Sequence, residues 1–413
     1  MPTTTFAVDL TRPIPLQAAL PSSNHAGGRK RVLVCVPRYL PGYKSGGPTR
    51  AIANMVDLLS DEFDFYIVTR DRDVTDAKPY ENVVPNQWHR MGKAFVLYCS
   101  SVNMAKLFRA LREAKPDVIS LNSFQDHLTR AIMMLRRMGA VGKTPVVLAP
   151  RGEFSPEALR IKPFKKSLYR STTKLLHVHD NVHWMLSSER EIGQLFAAAP
   201  AGHIHPSHVR VVREICTVDP ACNPRPAKAP GSVKLIFMAR ISAMKNLAFL
   251  LDVLTEVRGH VELNIHGPVA HGDERYWNAC KTRLERLPSN IDAAYHGPIA
   301  HEAVSEELRE HHFFVLPTRG ENFCHAAVES LINGTPVILS DETPWTGVQQ
   351  SDAGFSIPLR HKLEWIEAIE ASVAMGQREY DRMLLGTRQY AGQFTAQDSA
   401  RQHAEMLESA LAS

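Results

Sequence analysis

Two carboxylates, Glu321 and Glu329, stand eight positions apart in the stretch Pro317–Glu342. Glu321 follows an apolar run, Phe313, Phe314, Val315 and Leu316, through the breaker segment Pro317–Gly320. Glu329 falls on the helix predicted next, and Gly334-Thr335-Pro336 ends that helix before a second apolar run, Val337-Ile338-Leu339. This is one βαβ unit with a polar loop at the carboxyl end of its first strand, the end where open parallel sheets bind ligands. The loop feeds a helix N-terminus, whose free N–H groups suit a phosphate. A carboxylate beside a phosphate has a different task, and the simplest is to accept hydrogen bonds from the hydroxyls of a sugar or a ribose. Two Glu at this spacing also arise by chance, one in a capping loop and one on a helix surface. A second element decides between these readings.

That element is Val233–Leu254. An apolar strand is predicted to end at Arg240 and an amphipathic helix to begin near Lys245, with Leu247, Leu250, Leu251 and Leu254 as its core stripe. Arg240 and Lys245 then lie at a strand end and a helix start. Two fixed cations there would hold a diphosphate and stabilise the charge that develops as it leaves.

The rest of the chain must position these groups. Its 413 residues, 44% hydrophobic, are ample for two domains of roughly 150–200 residues. No run of about 18 apolar residues predicts a transmembrane helix. Residues 1–29 are rich in Thr, Pro, Ala and Ser and lack a basic-then-apolar signal pattern, so they read as a disordered extension. The six Cys, at 35, 99, 216, 222, 280 and 324, contain no Cys-x2-Cys pair. Neither a zinc ribbon nor a disulfide scaffold is indicated, and reduced thiols in a cytoplasm fit. The formal charge of +5 is mild, and without aromatic–basic interleaving it does not suggest nucleic acid. Locally, Arg160, Lys162, Lys165, Lys166, Arg170 and Lys174 fall within 15 residues, interleaved with Leu159, Ile161, Phe164, Leu168 and Tyr169. Such a basic amphipathic helix over 159–176 suits either an anionic membrane surface or solvent.

The N-terminal half alternates strand and helix, with strands expected at Arg31–Pro37, Phe63–Thr69, Ala94–Cys99, Val118–Leu121, Thr144–Ala149 and Asn181–Leu186. Gly42–Gly47 is a flexible loop, and Pro48 suits the first turn of a helix over Thr49–Leu59. It is not a Gly-x-Gly-x-x-Gly fingerprint, and no Gly-x4-Gly-Lys-Ser/Thr occurs, which argues against nicotinamide and P-loop enzymes. Backbone N–H groups of Gly46 and Gly47 can approach a phosphate with no Cβ in the way. The Pro-rich segment Cys216–Pro230 holds four prolines and reads as a linker, after which the βαβ pattern restarts at Val233.

The phrase strand–Gly-Glu-Asn-Phe–helix–Gly-x-Pro–strand, with Arg240-x4-Lys245 in the same half, resembles the retaining family 4 (group 1) glycosyltransferases. Further phrases from Arg31 to Leu359 resemble a bacterial surface-polysaccharide subgroup, among them Leu121-Asn-Ser-Phe124, Ala149-Pro-Arg-Gly-Glu-Phe154, Leu263-Asn-Ile-His-Gly-Pro268 and Asp341-Glu-Thr-Pro-Trp345. The family's usual Gly after the Lys is Asn246 here, and its usual Gly in the Glu loop is Cys324.

The resemblance implies an α/β GT-B fold, two Rossmann-like domains facing a central cleft. The acceptor domain would span 30–215, the linker 216–231 and the donor domain 232–390, with a C-terminal helix over 391–413 crossing back to the first domain. In related enzymes the counterpart of Glu321 meets the donor sugar, that of Glu329 the nucleotide ribose, and those of Arg240 and Lys245 the diphosphate. Arg240, Lys245 and Glu321 are thus the catalytic candidates. Gly46, Gly47, Asn322, Phe323, Cys324 and Glu329 join them as donor-binding candidates. Asn122, Arg151 and Glu153 are the acceptor-side candidates. No metal and no cofactor is expected. The implied activity is retaining, metal-independent hexosyl transfer from a nucleotide-diphosphate sugar (UDP- or GDP-sugar) to a lipid-linked or saccharide acceptor in polysaccharide biosynthesis. It would take place in the cytoplasm, peripheral to the inner face of the cell membrane. A nucleotide-sugar epimerase and a catalytically silent saccharide-binding subunit are the alternatives on the same scaffold.

Three further clusters invite other chemistry. Asp71-Arg72-Asp73 has the form of an Asp-x-Asp metal clamp but closes a second strand, and it reads as a solvated strand end. His177, His179 and His183, with Asp180, have metal-like density. Strand alternation would place the three His on one face, and stacking or exposure is expected there. Cys324 beside Glu321 reads as a small replacement for Gly rather than as a nucleophile.

Overall fold

A computed structural model describes residues 13–16, 20, 28–44, 46–74, 76–160, 163–198, 204–217, 225–270 and 272–413, without the side chains of residues 157, 160, 163, 165 and 166. The chain divides into two compact units, Met1–Ile215 with Gln397–Ser413, and Cys216–Ala396.

The first unit is built on a nine-stranded sheet. Its strands are β1 (Ile14–Pro15), β2 (Lys30–Cys35), β3 (Phe63–Arg70), β4 (Trp88–Met91), β5 (Ala94–Cys99), β6 (Val118–Asn122), β7 (Val146–Ala149), β8 (Val182–Leu186) and β9 (Val209–Val211). They are ordered β1-β4-β5-β3-β2-β6-β7-β8-β9. All neighbours from β5 to β9 are parallel, while β4 and β1 add an antiparallel edge. Val32, Leu33 and Val34 in β2 are fully buried, as expected for a parallel strand covered by helices on both faces. The final helix, Ala396–Leu411, lies almost entirely in this unit. Arg213 N donates to Gln402 Oε1 at 3.1 Å, and Ser413 Oγ lies 3.0 Å from His183 Nε2.

The second unit has a six-stranded, wholly parallel sheet. It consists of β10 (Ser232–Met238), β11 (His260–His266), β12 (Ile291–Gly297), β13 (Phe313–Leu316), β14 (Val337–Ser340) and β15 (Gly354–Ile357), ordered β12-β11-β10-β13-β14-β15. Numbered within the unit, this is 3-2-1-4-5-6, the Rossmann order. Leu247, Leu250, Leu251 and Leu254 are all fully buried under β10. Lys228 fastens the linker's end to this unit: its buried ammonium donates to the carbonyls of Ala229 at 2.9 Å, Ser232 at 2.7 Å and Met375 at 2.9 Å.

Several expectations change. Within residues 1–29, Ile14 and Pro15 form a strand that pairs with Arg90 and His89, so that stretch is not disordered throughout. The single helix expected over 159–176 is two, Pro156–Arg160 and Pro163–Leu175. Tyr169 does not share an outward face with Phe164 and Leu168, because its ring packs 5.5 Å from Phe124 in the core. Ile161 and Lys162, and the side chains of Arg160, Lys165 and Lys166, lie outside the described residues. Seven linker residues, 218–224, lie outside them too, with Cys222.

The histidines do not line one strand face, since β8 starts only at Val182. His177 is exposed and 3.0 Å from Asp180. His179 packs 4.9 Å from Phe124, and His183 stacks 4.3 Å from His208. Burial pushes both His179 and His183 down to about 4, with Arg136 adding for the first and His208 for the second. Asp71 and Asp73 are buried rather than solvated. The Asp73 carboxylate accepts from the N–H groups of Tyr43 at 2.8 Å and Lys44 at 3.0 Å, so it anchors the Gly-rich loop.

Candidate functional site

The order of the second sheet reverses between β10 and β13, and the loops leaving these two neighbouring strands carry the candidate residues. The first loop runs from Ala239 to Asn246. Arg240 is exposed at its start, and a parallel bridge between Ile241 and Val269 extends the edge beyond β10. A Cβ on Gly267 would lie 1.9 Å from Ala239 O, so only Gly lets the loop after β11 come this close. Asn246 is left-handed at φ 61° and precedes the helix Leu247–Leu254. Asn visits that region readily, which is why it stands where the related family usually has Gly. The helix start has no side-chain cap from Asn246. Tyr276 Oη serves instead, accepting from Ala248 N at 2.9 Å.

The second loop runs from Pro317 to Cys324 and is tied to the first. Arg319 N donates to Met244 O at 2.8 Å, and Thr318 Oγ1 to the same carbonyl at 3.2 Å. Lys245 Nζ and Glu321 Oε1 form a direct, largely buried ion pair. Thr318 Oγ1 also lies 3.2 Å from the same carboxylate oxygen, and Glu321 N donates to Glu342 O at 2.9 Å. Asn322 Nδ2 is buried with no hydrogen-bond partner. The Phe323 carbonyl accepts from Trp345 Nε1, and the two rings meet edge-on at 5.3 Å.

Cys324 is left-handed at φ 66° and opens the helix His325–Ile332. Burial, with Glu321 next, pushes its thiol far above the usual range, so it is no thiolate nucleophile. Glu329 is half-buried on that helix. Its charge also raises Cys324 and Cys216. Cys216 Sγ lies 3.3 Å from His325 Nδ1.

Lys245 and Glu321 are therefore brought into contact, with Arg240 at the adjacent strand end. Thr318, Arg319, Tyr276 and Trp345 were not singled out from sequence. Their roles depend on contacts between segments tens of residues apart, and no local pattern carries them.

In the first unit, Gly46 is left-handed at φ 67° as the N-cap of the helix Gly47–Leu59. Its N–H is already donated to Tyr43 O at 3.1 Å. Gly47 begins the first turn, where N–H groups lack intrahelical acceptors. Glu153 accepts from Ser123 Oγ at 2.5 Å, Phe124 N at 2.8 Å and Gln125 N at 2.7 Å, which fixes the loop after β6. Arg151 is buried. It forms an ion pair with Glu214 and donates to Asn122 Oδ1 at 2.7 Å, and burial pushes it down to about 10. These three side chains form an internal scaffold beneath the loop. Among the described residues no group of three or more His, Cys, Asp or Glu is placed to hold a metal ion, and no helix is long and apolar enough to cross a membrane.

Residues 232–374 match the family model described as Glycosyl transferases group 1. This segment is similar to that family over about a third of the chain. The match spans the β10 and β13 loops with Arg240, Lys245, Glu321 and Glu329. No curated protein sequence matches the chain.

Solved structures share the fold. Sucrose-phosphate synthase from Thermosynechococcus elongatus is similar at 16% identity, with 93% of this chain and 100% of that chain covered and a TM-score of 0.68. HepE of Anabaena, in complex with UDP and glucose, is similar at 14% identity, with 92% and 100% covered and a TM-score of 0.69. WaaG, a glycosyltransferase involved in lipopolysaccharide biosynthesis, is similar at 12% identity, with 91% and 99% covered and a TM-score of 0.62. The fold is thus α/β with two Rossmann-like units, as in GT-B glycosyltransferases.

Proposed function

We propose that the protein is a retaining, metal-independent hexosyltransferase that uses a nucleotide-diphosphate sugar. The observation that carries this reading is the Lys245–Glu321 pair at the switch point of the second sheet, with exposed Arg240 at the start of the loop that carries Lys245. Sugar diphosphates need cations for the phosphates and an acceptor group for the hydroxyls, and the two loops offer both within one contact. On donor binding, Lys245 turns from Glu321 to a phosphate oxygen, and Arg240 takes another. Glu321 is then free to accept from the hydroxyls of the sugar, and Glu329 from those of the ribose. Asn322 Nδ2 supplies an unused donor to the same loop.

In the transfer step the bond from the sugar's anomeric carbon to the diphosphate oxygen breaks. The acceptor oxygen attacks the same face, and the departing phosphate takes the acceptor's proton. Lys245 and Arg240 stabilise the charge that accumulates on the diphosphate. Similarity to HepE, solved with UDP and glucose, makes UDP the first base to test and GDP the second. The acceptor is lipid-linked or a saccharide in polysaccharide synthesis, received by the first unit, where Asn122, Arg151 and Glu153 shape the loop after β6.

A cytoplasmic enzyme of this kind meets a lipid acceptor at the membrane surface. Phe164, Leu168 and Leu175 are exposed along one face of the helix Pro163–Leu175, and Lys174 is exposed near them. That face suits an anionic bilayer. Co-sedimentation with anionic vesicles should fall when Phe164 and Leu168 become Ser.

The test of the function is a thermal-shift panel of nucleoside diphosphates and nucleotide sugars, followed by turnover with the best ligand. A specific donor raises Tm by mass action. If no nucleotide shifts Tm, the donor reading is wrong.

A further inference from the structure

The carboxyl ends of β2 and β3 hold three groups that the transfer scheme leaves unused: Arg38, Arg70 and Tyr80. Arg38 follows β2, where the strand order of the first sheet reverses between β2 and β6. Its guanidinium is half-buried. Nη1 donates to Pro37 O at 2.7 Å, but Nε is buried with no hydrogen-bond partner. Burial holds Arg38 below the usual arginine range, and the neighbouring Arg70 charge adds to this. β2 and β3 are parallel neighbours, with Cys35 opposite Val68 and Val36 N donating to Val68 O at 3.1 Å, so Arg38 and Arg70 stand at adjacent strand ends. Tyr80 stands beside them, and its hydroxyl is also buried without a partner. A Cβ on Gly42 would lie 2.2 Å from that hydroxyl, so the Gly at 42 leaves it room.

The carboxylates nearest Arg38 are Asp126 and Asp73, and both are engaged with backbone. Asp126 Oδ1 accepts from Leu128 N at 2.9 Å. Asp73 accepts from Tyr43 N and Lys44 N through Oδ2, and from Val74 N at 2.7 Å through Oδ1. Arg50 and Arg151 also keep a buried Nε without a hydrogen-bond partner, so what sets Arg38 apart is its charged neighbour. Arg151 is closed by Glu214, and Arg72 by Asp71 at 2.8 Å. Like charges held together with unfilled donors call for an anion that accepts several hydrogen bonds at once. A phosphate does this, and arginine's planar fork matches its oxygens.

We propose that Arg38, Arg70 and Tyr80 form a phosphate-binding site in the first unit that receives a phosphate carried by the acceptor. The role as an acceptor site rests on the donor reading of the second unit; the existence of the site does not. The ligand is a phosphomonoester of a sugar or the diphosphate of a lipid-linked saccharide, and both present anionic phosphoryl oxygens that accept from guanidinium groups.

The test uses the full chain saturated with UDP, so that the Arg240–Lys245 region is occupied, and titrates inorganic pyrophosphate by calorimetry. Binding is expected in the unaltered protein. It should weaken at least about tenfold in Arg38→Gln and in Arg70→Gln, about threefold in Tyr80→Phe, and less in Arg38→Lys than in Arg38→Gln. UDP affinity in the same variants should not change, which reports an intact fold. If the Gln variants lose UDP binding, Tyr80→Phe decides, and unchanged pyrophosphate affinity there overturns the proposal. Absence of pyrophosphate binding to the UDP-saturated protein, or binding in both Gln variants as tight as in the unaltered protein, also overturns it.

Competition then names the source. A hexose phosphate or a short prenyl-diphosphate saccharide should displace pyrophosphate, whichever is the acceptor class. If unphosphorylated hexose displaces it equally well, the site is not for phosphate. Failure of the donor reading would appear separately, as absence of UDP binding. Pyrophosphate titration of the Arg240→Ala/Lys245→Ala double variant would then still report on Arg38 and Arg70.

Discussion

The two units share one sheet order around their switch points but handle charge there in opposite ways. In the second unit the cation and the carboxylate, Lys245 and Glu321, come from neighbouring loops and pair with each other, and the proposed donor would replace either partner. In the first unit the strongest pair, Arg151–Glu214, is sealed below the loops, and two other arginines, Arg38 and Arg70, stay near one another with no ion pair among the described residues. A switch point therefore supplies a place for a ligand without dictating its chemistry. The chemistry follows from which charged side chains are buried and which are left exchangeable.

The sharpest way to break this contrast is Arg151→Ala. If Arg151 is scaffold, its loss strands the Glu214 carboxylate, whose Oε2 already lacks a hydrogen-bond partner. Breaking one side of a buried pair typically costs about 3–5 kcal/mol, so chemical denaturation should show a loss of that size. Arg151→Leu with Glu214→Leu should recover much of it. A fully stable Arg151→Ala protein with lost acceptor affinity would instead make Arg151 a ligand contact.

Lys245→Ala and Arg240→Ala should behave the other way round, with folding intact and turnover reduced by roughly 10²–10³. Steady-state kinetics beside a melting curve separates the two classes. Near-normal turnover in both variants would dissolve the proposed site.

Acid should act more gently and through buried imidazoles. His179, His183 and His403 of the first unit, and His312 of the second, are pushed down to about 4, in each case chiefly by burial. Their unfolded values lie near 6.5. The folded state holds them neutral, so the unfolded state binds more protons between these limits. Stability should be full above about pH 6.5 and fall as pH drops toward about 4. Replacing His403, buried on the final helix and near Arg151, with Gln should flatten part of that slope. An unchanged slope would show that other groups carry it.

Cys324 should matter least. Its left-handed backbone suits Gly, so Cys324→Gly gains from relieved strain about what it loses in buried sulfur. Stability should shift by less than about 1 kcal/mol, and transfer should continue. A dead but folded Cys324→Gly enzyme would restore the nucleophile reading.

These differences also explain what the sequence made readable. The second unit's site lies in two continuous phrases, each a strand, a loop and a helix start, and the expected strand Phe313–Leu316 and Leu stripe match the fold. The contact between Lys245 and Glu321 spans 76 positions and was implied only by the order of the strands. In the first unit, burial decided what the sequence left open. Asp71-Arg72-Asp73 has the look of a solvated turn, but Asp73 is an anchor for a loop thirty residues away. The short strands Ile14–Pro15 and Trp88–Met91 exist only as partners for each other and for the edge of the sheet, so neither carries a strong signal of its own. The His cluster follows no strand alternation because His177 and His179 precede the strand, the first exposed beside Asp180 and the second packed on Phe124.

The claim that the Lys245–Glu321 pair is an exchangeable donor site is tested most directly by calorimetry of the best nucleoside diphosphate against Lys245→Ala and Glu321→Ala. Loss of the Lys245 charge should weaken binding by at least about tenfold. Loss of Glu321 should leave affinity unchanged or raise it, because Lys245 no longer has to leave a partner before meeting the phosphate. If Glu321→Ala weakens the diphosphate as much as Lys245→Ala does, the pair is a structural clamp, and the division of labour between phosphate and sugar is wrong.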